Sequence, residues 1–250
     1  PFWIPQQLAL LRLTGLPNVS ATVANNIRNQ KAGMNYLYSF PTYDAGTDLY
    51  KSHMENDAYH WGHNEARSNA GQLNMDFITF NINPAYHAKY RIVAEQYLHW
   101  LHGMNPFGMV MLSNMYNYGA EKCVNEIYHT WFANGSAWDN ALTSTNGPAP
   151  GYVPGGPNKN YTGTLSYLTT EPPQKAYKDW NNDWPENSWE ITEPSIYCQA
   201  SYIFLLSQLM TATTGPSDTT APTSPRNLAA SSLSAGSIGL SWDSATDNTG

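Results

Sequence analysis

The sequence predicts a helical domain of about 210 residues followed by the opening of a small all-β module, and three observations carry that prediction. From Pro84 to His102, apolar side chains recur at Tyr86, Tyr90, Val93, Ala94, Tyr97, Leu98 and Leu101. That is the spacing of one helix face, with Gly103 placed to end the helix and Pro106 beyond it. Residues 1–210 show no alternation of strand and helix patterns, which argues against a parallel α/β sheet. From Thr211 the chain turns to small residues and proline through Pro225, a linker composition that cannot bury surface. Behind it, Asn227-Leu228-Ala229-Ala230 and Ser237-Ile238-Gly239-Leu240-Ser241-Trp242 alternate apolar and polar residues, as two half-buried strands would.

The same reading assigns further helices to Gln6–Leu13, Ser20–Ala32, Asn69–Asn81 and Pro194–Met210, and long loops to the Gly- and Pro-rich stretch Asn140–Pro185. The domain organisation expected is therefore 1–210 for the helical part, 211–221 for the linker and 222–250 for the β module. Composition excludes several functions. The 250 residues hold 12 basic against 19 acidic side chains, a formal net charge of −7. A nucleic-acid binder needs the opposite surplus to neutralise phosphates, so no nucleic-acid partner is expected. The longest apolar run, Tyr202–Met210, is far below the roughly 18–20 residues that cross a bilayer, so no membrane span is expected. Cys123 and Cys198 stand 75 positions apart, without metal-ligand spacing. The opening Pro1-Phe2-Trp3-Ile4-Pro5 has no initiator Met, basic region or cleavage site and reads as the inside of a longer protein.

Chemistry concentrates in the loops. Trp131, Trp138, Tyr152, Tyr161, Tyr177, Trp180, Trp184 and Trp189 lie among Asn, Gly and Pro. Sugar rings pack their C–H faces on indole and phenol rings, while their hydroxyls need carboxylate and amide partners, so this acidic aromatic surface suits a polysaccharide. Asp179, Asp183, Glu186, Glu190 and Glu193 cluster just before the last helix. There Thr192 can cap, with Glu193 or Pro194 as the first helical residues. Glu193 is then either a charge favoured at a helix start or a carboxyl that neighbouring Trp rings desolvate into a general acid. The pairs His60/His63 and His99/His102 are three apart, but no third ligand accompanies them, so packing or sugar contact is expected rather than metal.

Six motifs in order identify a relationship. Tyr59-His-Trp-Gly-His-Asn64, Tyr97-Leu-His-Trp-Leu-His-Gly-Met-Asn-Pro106, Tyr118-Gly-Ala-Glu-Lys-Cys-Val-Asn-Glu-Ile-Tyr-His129, Gly151-Tyr-Val-Pro-Gly-Gly-Pro-Asn158, Pro172-Pro-Gln-Lys-Ala-Tyr-Lys-Asp179 and Asn187-Ser-Trp-Glu-Ile-Thr-Glu193 resemble the C-terminal part of family nine glycoside hydrolases. That cellulase family has an (α/α)6 toroid, so the resemblance implies an all-α fold holding only the toroid's later helices. The pattern Pro222, Pro225, Leu228, Ile238, Leu240, Trp242 resembles the first strands of a fibronectin type III β-sandwich, cut short at Gly250.

The resemblance implies hydrolysis of β-1,4-glucan with inversion. The family's acid lies six residues before an Asn, and Gln199 lies six after Glu193, which makes Glu193 the catalytic acid; Glu190 competes at a shifted register. The family's His upstream of the Gly-Gly-Pro loop corresponds to His129, which would contact a sugar hydroxyl beside the cleavage point. Tyr128, Trp131 and Trp189 are the accompanying substrate-binding aromatics. Where the family often has His-Arg, this chain has His129-Thr130-Trp131. Inversion requires a second carboxylate about 6.5–9.5 Å from the acid. Tyr43-Asp44-Ala-Gly-Thr-Asp48 superficially resembles the family's base motif, but its two Asp are four apart instead of three, so the base is expected upstream of Pro1 and the chain alone should be at best weakly active. Members of the family often hold structural calcium, yet its ligands do not map onto matched positions here, so no metal and no other cofactor is assigned. The expected protein is a secreted, monomeric enzyme acting on a β-glucan polysaccharide. Xyloglucan, mixed-linkage glucan and glucosamine oligomers stay open as backbones, and a non-catalytic polysaccharide-binding module with aromatic-lined loops is the alternative from another class.

Overall fold

A computed structural model describes residues 9–33, 48–210, 222–234 and 237–246. The chain divides into two compact units, Pro1–Met210 and Thr211–Gly250. The first unit is built on helices α1 (Ala21–Gly33), α2 (His63–Thr79) and α3 (His87–Leu101), two one-turn helices α4 (Tyr167–Thr170) and α5 (Trp189–Thr192), and α6 (Ile196–Leu209). A short helical run at 9–13 precedes α1; residues 6–8 of the expected first helix lie outside the described residues, as do Asp44 and the linker at 211–221.

Helix α2 begins six residues before the expected Asn69. Its sequence is buried on nearly every side from His63 to Phe77, so no apolar stripe exists to reveal it, and polar side chains find partners inside the protein instead. Arg67 is fully buried and donates to the Ser52 carbonyl (2.6 Å), the Ser52 hydroxyl (3.0 Å), the Tyr59 hydroxyl (3.3 Å) and His63 Nε2 (3.2 Å). Its guanidinium lies 3.9 Å from the centroid of the Trp100 ring, whose face attracts the cation. His63 Nδ1 donates to the Ala58 carbonyl at 2.8 Å, leaving Nε2 as the acceptor for Arg67. Burial, reinforced by the Arg67 charge, holds the His63 pKa well below its usual value and so keeps the ring neutral. Gly71 permits the close crossing of three helices: a Cβ there would stand 2.7 Å from a Leu205 methyl on α6 and 3.2 Å from Tyr97 on α3.

Helix α3 follows the expected pattern more closely. A single 3-10 turn, Pro84–Tyr86, leads into it, and the buried face is Tyr90, Val93, Ala94, Tyr97, Leu98, Trp100 and Leu101. Tyr86, expected on that face, is exposed, and Trp100 is fully buried in its stead because it closes over Arg67. After the cap His102, Gly103 adopts φ 115°, the left-handed region that ends helices.

The last helix corrects the expected boundary. It starts at Ile196, not at Glu193 or Pro194, and its cap is Ser195, whose side chain accepts from the Cys198 N–H; Thr192 instead ends α5. Proline disfavours helical geometry in the residue before it, and Glu193 is accordingly extended (φ −64°, ψ 122°).

Within this helical unit, strands β1 (Val110–Ser113) and β2 (Cys123–Val124) form a two-stranded parallel pair, too short to show a period in the sequence. In the second unit, β3 (Arg226–Ser234) pairs antiparallel with β4 (Ser237–Asp243), with Ala230 opposite Leu240 and Ser232 opposite Ile238. The expectation of half-buried strands is corrected here. Leu228, Leu240 and Trp242 are exposed, since among the described residues the β3–β4 pair has no second layer to bury them.

Two predictions follow from the buried polar groups. Arg67→Ala strands the Ser52 carbonyl, the Tyr59 hydroxyl and His63 Nε2 and opens a cavity beneath Trp100, so chemical denaturation should show a loss of about 3 kcal/mol or more. Burial, opposed by the Arg12 charge, pushes the Asp76 carboxyl up from 3.8 to about 7. Its folded pKa therefore exceeds its unfolded one, so its ionisation costs nothing below about pH 4 and an increasing amount up to about pH 7. Asp76→Asn should accordingly raise the melting temperature at pH 8, with the difference closing as the pH falls to 4.

Candidate active site

The candidate site is assembled where three loop segments meet the beginning of α2. Turn 59–62 comes first. Tyr59 is buried and stacks on His63 with centroids 4.2 Å apart, the His63 N–H closes the turn on the His60 carbonyl at 3.0 Å, and Gly62 takes φ 78° to enter α2. With both flanks anchored in the core, Trp61 is presented at the rim.

The glycine-rich loop comes second. Asn64 N–H, one of the unpaired donors at the start of α2, bonds the Gly155 carbonyl at 2.8 Å, and Asn64 Nδ2 bonds the Pro154 carbonyl at 2.9 Å. Gly156, at φ 95°, passes so close that a Cβ would fall 2.6 Å from Asn64 Oδ1, while its N–H bonds the Ile191 carbonyl at 2.8 Å. Gln199 on α6 clamps Val153 in the same loop, accepting from its N–H at 2.9 Å and donating to its carbonyl at 2.7 Å.

The third segment carries Glu193. Its carboxylate is half-buried, and Oε2 accepts a 2.8 Å hydrogen bond from the Trp61 indole N–H, 132 residues away in sequence. The strand-like segment before His129 runs alongside, with the Tyr128 N–H on the Thr192 carbonyl at 3.3 Å. The Tyr128 hydroxyl donates to Asp183 Oδ1 at 2.6 Å. That bond, then partial burial and the negative charges of Asp183 and Glu193, raise the tyrosine's pKa.

His129 is extended (φ −165°, ψ 157°) and exposed, so its side chain departs from the opposite side of the segment to that of Tyr128. With Trp131, Phe132, Trp138, Ala149, Tyr152, Pro194 and Ile196 it lines an apolar groove of about 600 Å³. Trp131 is 77% exposed, unusual for an indole with nothing laid upon it. The structure thus brings together Tyr128 with Glu193, and His129 with Trp131. It does not bring Trp189 to the groove lining: that ring, 40% exposed, stands at the start of α5. Glu193 borders the groove through Pro194 rather than lining it.

Glu190 has a different environment. It is buried and accepts from the Thr162 N–H (2.7 Å), the Thr162 hydroxyl (2.6 Å) and Asn187 Nδ2 (3.3 Å), the signature of a carboxylate that ties loops together. Asp179 does likewise for the segment leading to Tyr128, accepting from the N–H groups of Asn125 (2.8 Å) and Glu126 (3.1 Å), although burial raises its pKa. Among the described residues no three His, Cys, Asp or Glu side chains converge as metal ligands would. His63 lies in the core and His102 Nε2 pairs with the Tyr202 hydroxyl at 2.9 Å.

Sequence reasoning assigned no contact to Trp61 or Asn64, and named Asp183 only as a member of the carboxylate cluster. Trp61 and Asn64 stand inside the Tyr59–Asn64 motif, yet nothing local shows that they reach segments 90 and more positions away. The clasp at Gly156 yields a prediction: Gly156→Ala forces a left-handed conformation on a side chain that meets Asn64, and should lower stability by roughly 2 kcal/mol or more in urea unfolding.

Comparison with known proteins agrees with this architecture. The sequence pattern described as Glycosyl hydrolase family 9 matches residues 3–206. No curated protein sequence matches the chain significantly. Solved structures with the same fold include a thermostable endoglucanase from Alicyclobacillus acidocaldarius (20% identity, TM-score 0.57, 81% of this chain and 35% of that one). Another is the family 9 endoglucanase J30 (22%, 0.58, 81% and 33%), and a third is AaCel9A in complex with a cellobiose-like isofagomine (21%, 0.55, 80% and 34%). The chain therefore spans about a third of the length of these enzymes. A pattern that covers four-fifths of the sequence, with a matching helical fold beneath it, establishes that this chain belongs to glycosyl hydrolase family 9.

Proposed function

We propose that the protein to which this chain belongs hydrolyses β-1,4-glucosidic bonds in cellulose or a related β-glucan with inversion of configuration, and that Glu193 is its general acid. The observation that carries this reading is the placement of Glu193: a half-buried carboxylate oriented by the Trp61 indole, next to a groove that exposes the Trp131 and Trp138 rings. The competing Glu190 accepts three hydrogen bonds from its own loops and is the poorer candidate for releasing a proton. His129 and Trp131 supply a polar contact and a stacking face for sugar, and Tyr128 with Asp183 supplies hydroxyl partners beside the acid. Trp189 is not retained as a substrate contact. The neighbouring enzyme solved with a cellobiose-like inhibitor supports a β-glucan as the substrate class.

In this mechanism Glu193 protonates the glycosidic oxygen as the C1–O bond breaks, while a second carboxylate removes a proton from the water that attacks the opposite face of the sugar. The Asp44/Asp48 spacing does not suit that second role, so the base is to be sought in the parent's sequence before Pro1. Further parts of this reading are a secreted, monomeric enzyme, a fibronectin type III-like identity for residues 222–250, and no nucleic-acid or membrane partner. An acidic chain with an aromatic groove fits a carbohydrate substrate and not a polyanion.

Glu193→Gln in the full-length parent should lower turnover of cello-oligosaccharides by about 10²–10⁴-fold with the fold intact by circular dichroism. Glu190→Gln should instead lower the melting temperature. Unchanged turnover in Glu193→Gln would remove the acid assignment, and oligosaccharide binding without turnover in the unmutated parent would favour a binding module.

A further inference from the structure

The turn that carries Trp61 is held far more firmly than a surface turn needs to be. The flanking residues Tyr59 and His63 are buried and stacked on each other, His63 closes the turn through the His60 carbonyl, His60 Nδ1 contacts the Trp61 carbonyl at 2.6 Å, and Gly62 sets the left-handed exit into α2. All of this fixes one indole, and that indole spends its single donor on Glu193 Oε2 at 2.8 Å. The carboxylate is constrained from its own side as well, because Glu193 is extended ahead of Pro194, with Thr192 and Ile191 held through their carbonyls by Tyr128 and Gly156.

We propose that Trp61 is a positioning residue for the acid step: its N–H assigns the two oxygens of Glu193 their separate tasks. This inference rests on the reading of Glu193 as the general acid. With Oε2 engaged as an acceptor, the proton of the neutral carboxyl resides on Oε1, the oxygen left to face the glycosidic bond. When that proton passes to the glycosidic oxygen, the C1–O bond breaks, the water oxygen bonds to C1, and the water's proton goes to a second Asp or Glu carboxylate. Glu193 becomes an anion at that moment, and its new charge spreads onto Oε2, where the indole donor is already aimed. A donor placed in advance where charge develops lowers the barrier without reorganisation. The charge of Glu193 is felt by Tyr128, whose hydroxyl bonds Asp183, and by Cys198 on α6, which also feels Glu65 on α2. Among the described residues, it is Trp61 that donates a direct hydrogen bond to the acid's carboxylate.

The test separates leaving groups. Cello-oligosaccharides need their departing oxygen protonated, whereas β-cellobiosyl fluoride departs as fluoride with little help from an acid. In the full-length parent, Trp61→Phe should lower kcat on cello-oligosaccharides about 10–100-fold with KM within about two-fold, while turnover of the fluoride stays within about two-fold of the unmutated enzyme. Should Trp61→Phe fail to fold, site-specific benzothienylalanine at position 61 keeps the bicyclic shape, removes only the N–H and must give the same split. Equal losses on both substrates would show a structural role and overturn the proposal, as would no loss on either. If Glu193→Gln abolishes oligosaccharide turnover while Trp61→Phe leaves it unchanged, this inference alone fails. If Glu193→Gln is also unchanged, the acid reading fails with it.

Discussion

The site depends on one close passage of backbone. The Pro154–Gly156 loop is gripped between the first turn of α2 and the chain that leads into Glu193: Asn64 holds the Pro154 and Gly155 carbonyls, and the Gly156 N–H holds the Ile191 carbonyl. Three segments distant in sequence are thereby tied within hydrogen-bond length of one another. Because Trp61 lies three residues before Asn64, and Glu193 two after Ile191, the clasp sets the indole and the carboxylate face to face. At the left-handed Gly156 this approach leaves no room for a side chain.

Behind the clasp, polarity is buried where a simpler protein would place leucine. Helix α2 carries His63, Asn64, Arg67, Ser68, Asn69, Gln72, Asn74 and Asp76 inside the fold. A buried charge is tolerable only when its donors are met, and among the described residues Arg67 meets its own with two Ser52 oxygens, Tyr59, His63 and the face of Trp100. Such a network admits one arrangement of its members, and its members include Tyr59 and His63, the two supports of the turn that presents Trp61. Rigidity in the core and geometry at the rim are in this way the same set of bonds.

The carboxylates illustrate how neighbouring residues of one type acquire different tasks. Glu190 and Asp179 accept several N–H or O–H donors from the loops around them and hold those loops together. Asp183 meets a phenol, and Glu193 an indole, at the rim near the aromatic groove. Polysaccharide recognition asks for rigid ring faces and fixed polar groups together, and the loops between α3 and α6 place both within one region.

The sequence alone determined the features that arise from local spacing and composition. The amphipathic face of α3, the helix that ends near Met210, the acidic charge, the aromatic loops and the order of the motifs all reside in residues close to one another in the chain. It did not disclose α2's first turns, because a helix buried all round has no period to read. Nor did it place the start of α6: the expected cap Thr192 ends α5 instead, Glu193 is extended ahead of Pro194, and Ser195 caps the helix. Only the tertiary structure decided what each carboxylate does, since Glu190 finds its donor Thr162 across 28 residues and Glu193 finds Trp61 across 132. Hydrogen bonds form between groups that the fold brings together, and a distance along the chain contains no information about them.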